Sequence, residues 1–577
     1  MTAPAGSFGQ RSGRKYGATA AARPLAHEAS AAGAASSAGS RPGAGSLLQA
    51  AGALLWLPQA ALVAGALQSL ADGGGVRTVA GPAAAVFILG ALRAFLDASG
   101  SRLCFQAARA DLTALRSRVA NALAGRSPLD RERPASGLAA SAIAEQAEAI
   151  VPYLARFQPA RLRATLVPPV FLGAVLLFSW AAGLVMLLAA PLIPIFMALI
   201  GLRAKAASEA QLVELGGMNA FLLDRLRGLA TIRTLDAVDL TARRLRANAE
   251  SLRARTMAVL RIAFLSSAVL ELFSALGVAM VAVFVGFHLL GQLEFGAWGG
   301  RLTLGRGLFI LLLAPAFFEP LRDLSAVWHD RAAGEAALEV LNRLSASALP
   351  LPGAAHGPGE ARRGPARAVA INLDQIGFGY AGGPQAVFDG LDLEIAPGAR
   401  VALLGASGTG KSTLLALIAG LAPLSSGRIR IDGTPLTDVT AAELRARMSW
   451  IGQKPHFFNG SLRSNITLGR ADIDAAAVDG ALRLAALDRQ AAGALGEGAS
   501  GLSGGEALRL ALARAAANVN AGLILADEPT AHLDAETADA VTDGLLKLAE
   551  GRTLIVATHD PRLAARMDRV IDPEARP

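Results

Sequence analysis

The chain has 577 residues, 53% of them apolar, a formal net charge of +9 and a single cysteine, Cys104. Its length exceeds what one hydrophobic core organises, so two or more domains are expected, and one cysteine excludes an intrachain disulfide. A nucleic-acid partner is set aside because the basic residues fall in two blocks between apolar runs: Arg102 to Arg156 holds eight Arg, and Arg203 to Arg255 holds ten Arg or Lys.

Residues 1–45 are rich in Ala, Gly, Ser and Arg without apolar period and read as a disordered cytoplasmic tail. The uncharged run that follows, Leu47 to Leu70, is 24 residues long. That exceeds the apolar core of a secretory signal and suffices for a membrane helix, which takes roughly 20 residues. Ala164 to Leu202 has no charge over 39 residues, enough for two crossings with a tight turn near Ser179–Gly183. Six spans are predicted, at 47–70, 78–100, 162–180, 183–202, 262–291 and 302–326, so a membrane domain embedded in the lipid bilayer covers 46–343. Arg93 and Asp97 interrupt the second span; four apart on one helix face, they pair or line a cavity. The sixth span is expected to break at Pro315 and Glu319–Pro320.

The segments 71–77 and 292–301 hold one basic residue each, whereas 103–160 and 203–260 hold the Arg-rich blocks. By the positive-inside pattern the long segments are cytoplasmic, and they are too long for plain loops, so both should continue as helices beyond the bilayer. Arg163, Glu271, His288, Glu319, Arg322 and Asp323 lie in or beside spans. Such groups are costly in lipid and face a cavity or another helix. Glu271, well inside the fifth span, is the cavity expectation; Arg163 and Arg322 equally suit helix-end snorkelling, and His288 an interfacial position.

Residues 344–366 form a Pro/Gly/Ala linker. Beyond it, in 367–577, short β-rich strands alternate with helices, the pattern of an α/β domain with a largely parallel sheet. Here Gly405-Ala406-Ser407-Gly408-Thr409-Gly410-Lys411-Ser412 fits G-x-x-x-x-G-K-[ST] between an apolar strand and an apolar helix. The glycines let the backbone curl so that several N–H groups face one phosphate. The helix opening at Lys411 adds its dipole. Lys411 reaches β/γ-phosphates, and the Ser412 hydroxyl can ligate Mg²⁺. This chain is expected to bind a nucleoside triphosphate.

Further features follow in order. Leu523–Glu528 is a buried strand ending in two acids: Asp527 suits holding Mg²⁺, and Glu528 suits orienting and deprotonating a water. Gln453 can reach the metal or that water, Leu502–Glu506 opens a helix with small residues, and His559 ends the strand Thr553–Ala557. Each alone is weak: an Asp-Glu pair is as readily a solvated corner, and a lone His a structural one. Together, in this order, they resemble the nucleotide-binding domain of ATP-binding-cassette (ABC) proteins. That resemblance implies that Tyr380 stacks on adenine and that Gly405–Thr413 form the Walker A loop. It likewise makes Gln453 the Q-loop, Ser503-Gly504-Gly505-Glu506 the signature, Asp527–Glu528 Walker B, Asp534 the D-loop and His559 the switch histidine. In that family two domains sandwich two ATPs, so a partner chain is implied. The chain departs from the pattern twice. The signature ends in Glu506 where Gln is commoner, and 18 residues follow His559 where the family adds further strands and a helix.

Six spans before a cassette resemble a type IV ABC exporter half-transporter. Ala190–Ile200, Phe221–Gly228, Leu260–Ser267 and Ala314–Leu324 are similar to the CydD family, one half of a heterodimeric system of bacterial inner membranes. That resemblance implies a CydC-like partner and ATP-driven export of glutathione or L-cysteine in support of cytochrome assembly. It leaves a haem transporter open, as well as a non-transporting ABC protein that controls a membrane partner. A zwitterionic peptide needs both signs of charge, which the ionisable residues near the spans supply.

Overall fold

The structure is a computed structural model. It describes residues 43–572 apart from 194, 197–217, 219–220, 223, 227, 299, 347–348, 357–366, 384–385, 471, 488–494 and 496–501. Tail residues 1–42, most of the 344–366 linker, and parts of the stretches Ala190–Ile200 and Phe221–Gly228 lie outside the described residues. The chain forms two compact units, Met1–Leu112 with Glu148–Ala336, and Thr113–Ala147 with Ala337–Pro577.

The first unit is helical. Its elements are α1 (Ala44–Leu54), α2 (Trp56–Ala71) and the start of α3 (Val76–Ala124), then, past α4 (Ser136–Ala144) of the second unit, α5 (Gln158–Leu176) and α6 (Trp180–Ala189). α7 (Leu229–Thr234), α8 (Val238–Leu289), α9 (Leu304–Ala326) and the start of α10 (Trp328–Ser345) complete it. Among the described residues, Ala44–Ala71, Val76–Ala124, Glu271–Leu289 and Leu304–Ser345 are long and apolar enough to cross a membrane, and Trp180–Ala189 is a shorter apolar helix. The core gathers Phe171, Val175, Met186, Ile310, Leu313, Phe317 and Phe318, while Phe87 (78% exposed) and Phe95 (66%) face outward as lipid-contacting side chains do.

The expected extensions are present in α3, 49 residues long, and α8, 52 residues long. The 103–160 segment is not helical throughout, however: α3 ends at Ala124, and a turn, α4 and a π-helical turn at Tyr153–Phe157 precede α5. The α5–α6 turn sits slightly earlier than expected, at 177–179. The reason is local: the Ser179 hydroxyl accepts from Ala182 N–H and donates to Gly296 O at 2.7 Å, capping α6. α1 and α3 cross at two glycines. A Cβ on Gly45 would stand 2.6 Å from Gly100 O, and one on Gly100 2.6 Å from Gly45 O, so only glycine permits this approach.

Two expectations are corrected, those for the prolines of the sixth span and for His288. α9 runs unbroken through Pro315 and Pro320; in a bundle, neighbouring helices absorb the lost N–H bonds. Of the two outcomes expected for Arg93, pairing with Asp97 does not occur, and Arg93 lines a cavity with its guanidinium 5.4 Å over the Trp56 ring. His288 is buried at 1% exposure rather than interfacial, its Nδ1 accepting from Leu302 N–H at 3.3 Å and so tying the end of α8 to the approach of α9. Glu271, with its side chain 69% exposed, meets Arg322 on α9, which reaches its carboxylate at 3.4 Å.

In the second unit, β1 (Ile371–Phe378), β2 (Phe388–Ile395), β4 (Ser426–Ile431) and β5 (Thr434–Pro435) form an antiparallel sheet in the order β2-β1-β4-β5. A five-stranded parallel sheet holds β3 (Arg400–Leu404), β6 (Met448–Ile451), β7 (Leu523–Asp527), β8 (Thr553–Thr558) and β9 (Arg569–Ile571) in the order β6-β7-β8-β3-β9. The parallel sheet was expected; the separate antiparallel one was not. β7 is buried at every residue, as a central parallel strand covered on both faces must be. The Thr113–Ala147 segment is anchored to this unit: Ser127 Oγ donates to Leu421 O at 2.5 Å, and Arg126 donates to the carbonyls of Leu344 and Ala346 at 3.1 Å each.

Candidate nucleotide-binding site

β3 delivers the chain into the loop 405–410, and α11 (Lys411–Ile418) leaves it. Two loop glycines have left-handed backbones, Gly408 at φ +96° and Gly410 at φ +86°. At Gly410 a Cβ would also meet Val387 Cγ1 at 2.8 Å and Phe388 Cζ at 2.9 Å, so neither conformation nor space admits a side chain. Lys411 is 6% exposed, and its Nζ donates to Gly405 O at 2.8 Å and Ala406 O at 2.7 Å. The same loop is cross-braced by Thr409 Oγ1 donating to Ala406 O at 3.0 Å. A long cation is therefore folded back over its own loop.

Around this loop opens a cavity of about 400 Å³ lined by Ser407, Gly408, Gly410, Lys411, Ser412, Thr413, Tyr380, Gln453, Glu528 and Arg131. Tyr380 is held by a 2.8 Å hydrogen bond between its hydroxyl and Thr413 Oγ1 and by an edge contact with Phe378. The Arg131 guanidinium lies 4.3 Å over the Tyr380 ring. Residues that sequence reasoning assigned to base, phosphate and water thus share one cavity.

The acidic end of β7 enters from the sheet. Asp527 Oδ1 accepts from Ser412 Oγ at 2.8 Å. Burial pushes the Asp527 carboxyl up, against the Ser412 hydrogen bond that lowers it, with the Glu528 charge adding and Lys411 opposing. A buried carboxylate whose neighbours are a hydroxyl and a second acid favours a nearby cation. Among the described residues no group of three His, Cys, Asp or Glu can hold a metal by itself. A divalent ion here would lean on nucleotide phosphates, as Mg²⁺ sites with one or two protein oxygens do. The cradle, the folded-back lysine and the cavity size fit a nucleoside triphosphate.

Glu528 occupies a left-handed backbone at φ +49°, rare for a non-glycine residue, while its N–H donates to Ala557 O at 2.9 Å. Its carboxylate meets His559 Nδ1 at 2.7 Å; the acid side chain is 12% exposed and the histidine 63%. The pair places an acceptor at the cavity wall and a ring that can move with solvent.

Ser503, Gly504, Gly505 and Glu506 do not line this cavity, nor does Asp534. They head two helices, α15 (Gly504–Ala516) and α16 (Ala535–Leu548), numbered after α12 (Ala441–Ala446), α13 (Leu462–Thr467) and α14 (Ala475–Leu484). The Ser503 hydroxyl accepts from Glu506 N–H, and the Glu506 carboxylate accepts from Ser503 N–H and Oγ at 2.8 Å each, a capping box. Those bonds hold the Glu506 carboxyl below the usual carboxylate range, the backbone one most. Glu506, a departure in sequence, therefore completes the capping box of which Ser503 is the N-cap. Asp534 caps α16 by accepting from Thr537 N–H at 2.9 Å. A Cβ on Gly505 would sit 2.8 Å from Thr537 Cγ2, so the two helix starts touch.

Residues 388–531 match the family described as ABC transporter, and residues 44–309 match the ABC transporter transmembrane region. The chain is 36% identical over 486 residues to the transport ATP-binding protein AarD of Providencia stuartii, covering 82% of this chain and 80% of that one. It is 34% identical over 475 residues to the glutathione/L-cysteine transport system ATP-binding/permease protein CydD of Escherichia coli strain K12, covering 81% and 80%. The chain belongs to the CydD family of ABC transporters. A solved bacterial Atm1-family ABC exporter with ATP bound has the same fold, with a TM-score of 0.68 over 91% of this chain and 93% of that one at 24% identity. As a CydD-family member the chain is a multi-pass membrane protein whose cassette binds and hydrolyses ATP to drive transport.

Sequence reasoning missed Arg131. It lies in a Leu-Asp-Arg-Glu-Arg-Pro stretch that reads as a polar turn, and no local pattern ties a turn arginine to a tyrosine just past the distant strand β1. Its charge and its stack on Tyr380 both favour an anionic nucleotide. Arg131→Ala is expected to weaken ATP binding to the purified complex about three- to tenfold, the worth of one partly exposed cation contact. Titration with a fluorescent ATP analogue reads this, and an unchanged dissociation constant would refute it.

Proposed function

We propose that the protein is one half of a heterodimeric exporter of glutathione or L-cysteine in a bacterial inner membrane, paired with a CydC-like chain. The observation that carries this reading is the similarity to CydD proteins of Escherichia coli and Haemophilus influenzae over 81% of the chain, together with 30% identity to CydC of Bacillus subtilis. The single set of cassette motifs supports a partner: Ser503–Glu506 and Asp534 stand apart from the cavity around Lys411 and are free to face a second chain's nucleotide. Residues 46–343 serve as the membrane part and 367–577 as the cassette, joined through 344–366.

In this reading Tyr380 stacks on adenine, and the N–H groups from Gly405 to Thr413 with Lys411 Nζ hold the phosphates. Ser412, Asp527 and Gln453 hold Mg²⁺. ATP with its Mg²⁺ supplies the γ-phosphoryl group whose transfer to water releases the free energy. Glu528 orients that water and accepts its proton, and His559, hydrogen-bonded to Glu528, keeps the carboxylate aimed at the cavity. Haem has weaker support, because His288 is enclosed and its Nδ1 is already engaged by Leu302 N–H.

The test is ATP hydrolysis and solute uptake by the complex with its CydC-like partner. Reduced glutathione or L-cysteine is expected to stimulate hydrolysis, and inverted vesicles to accumulate the labelled thiol only with ATP. Stimulation by haem alone would overturn the thiol reading. Hydrolysis without any solute movement would favour a non-transporting regulator. Full, substrate-stimulated activity of this chain by itself would refute the heterodimer.

A further inference from the structure

A second cavity lies in the membrane unit, bordered by α1, α2, α3, α5 and α9. It is lined by apolar Trp56 and Phe171 and by four charged residues, Arg93, Arg163, Glu319 and Asp323. The signs balance, but the pairing does not. Arg163 reaches Asp323 at 3.3 Å, yet its Nε is buried without a partner. Arg93 rests on the Trp56 ring and, among the described residues, has no carboxylate partner; Glu319 likewise has no hydrogen bond or ion pair. The indole is fixed in turn by donating to Leu312 O at 3.1 Å. One small space therefore brings together a half-buried cation, a buried N–H without a partner and an exposed carboxylate without a partner, in a part of the chain where charges are retained for a cavity, a ligand or another helix.

Depth gives the cavity a direction. Arg93 is 17 residues past the start of α3 and Glu319 is 15 past the start of α9; Trp56 is 15 before the end of α2 and Arg163 is 13 before the end of α5. At 1.5 Å per residue these four lie about 20–26 Å from the helix ends at the connections 72–75, 177–179 and 290–303. In a hydrocarbon core about 30 Å thick, that is the side of the Arg-rich segments, where an exporter loads.

We propose that this cavity binds the α-amino-acid end of a zwitterionic solute, its carboxylate on Arg93 and Arg163 Nε and its ammonium on Glu319. This rests on the thiol-export reading and specifies which part of the thiol is recognised. The cavity volume, about 40 Å³, fits that polar head, since one water needs about 10–15 Å³ on the same measure. A flat tetrapyrrole does not fit. L-cysteine carries the head on its own, and glutathione carries it on its γ-glutamyl residue. The fit is electrostatic: a zwitterion supplies the missing partner to each spare group and leaves the net charge of the site unchanged.

The experiment measures binding of three probes to the purified two-chain complex: L-cysteine, its methyl ester, which lacks the carboxylate, and N-acetyl-L-cysteine, which lacks the ammonium. The intact complex is expected to prefer cysteine to either analogue about tenfold, the worth of one charge-assisted contact. Arg93→Met should cut the preference over the methyl ester to what the remaining Arg163 Nε contact supplies and keep that over the N-acetyl form. Glu319→Gln should do the reverse. Each variant is compared with itself, so a reduced folded fraction alters stoichiometry and not the ratio; Arg93→Lys, which keeps the charge, should retain more of the ester preference. If the wild type binds thiols but both variants keep both preferences, the cavity is not the site and the thiol reading stands. If the wild type binds cysteine and its analogues equally, the proposal also fails. If it binds no thiol at all, the export reading falls and takes this one with it.

Discussion

Glu528→Gln is expected to lower ATP turnover at the site built on this chain's own loop by about a hundredfold or more, the usual worth of a positioned general base, while ATP binding persists. The geometry separates the two effects. Lys411, the glycine cradle and the Ser412–Asp527 hydrogen bond do not involve Glu528, so the contacts expected to hold phosphate survive. What the amide loses is the negative charge that accepts a proton and that faces His559 Nδ1 at 2.7 Å. The left-handed backbone at Glu528 tolerates glutamine as well as glutamate, so folding is spared. The measurement is the single-turnover rate and the nucleotide retained by the complex. Trapped ATP with slow hydrolysis is the expected result. Unchanged turnover would mean that the productive site rests on the partner's loop, or that another group takes the proton.

Much of this arrangement was readable from the chain before any coordinates. The loop at 405–412 is legible because its chemistry is local: glycines, a lysine and a hydroxyl must follow one another for the backbone to wrap a phosphate, and the φ values at Gly408 and Gly410 follow from that need. Asp527 and Glu528 are legible because a run of four apolar residues ending in acids has few uses other than a buried strand delivering charge. The membrane helices are legible where charge is absent.

What the sequence hid is tertiary. Arg131 meets Tyr380 only because Ser127 and Arg126 pin a distant turn to the cassette unit. Glu271 was placed by its depth, and depth says nothing about which neighbour it finds: Arg322 reaches its carboxylate from the next helix. Prolines in α9 misled for the same reason: local propensity argues for a break, and packing in the bundle overrides it. Glu506, the departure from the family pattern, completes a capping box with the N-cap Ser503.

Lys411→Met should remove most ATP affinity from the same site. The side chain is buried, and its ammonium is held over the loop by two carbonyls, Gly405 O and Ala406 O, at 2.8 and 2.7 Å. In that position the charge is desolvated and already oriented toward the cavity, so its interaction with a phosphate is worth more than that of a surface lysine. A loss of about 3 kcal/mol, the upper range for a hydrogen bond to a charged group, corresponds to a binding constant lower by roughly a hundredfold. Methionine keeps the length and apolar stem, so α11 remains packed, though two carbonyls lose their donor at a cost of about 1–3 kcal/mol each if water cannot replace it. That cost appears in the melting temperature of the nucleotide-free complex. The binding loss appears in the shift of that temperature when ATP is added, which grows with ligand saturation. A variant that melts lower but shows the wild-type ATP-induced shift would make Lys411 a structural brace of the loop and not its phosphate ligand. Arg in its place is not a substitute, because a planar fork cannot occupy the space of a point charge folded between two carbonyls, and Lys411→Arg is expected to bind ATP nearly as poorly as the methionine variant.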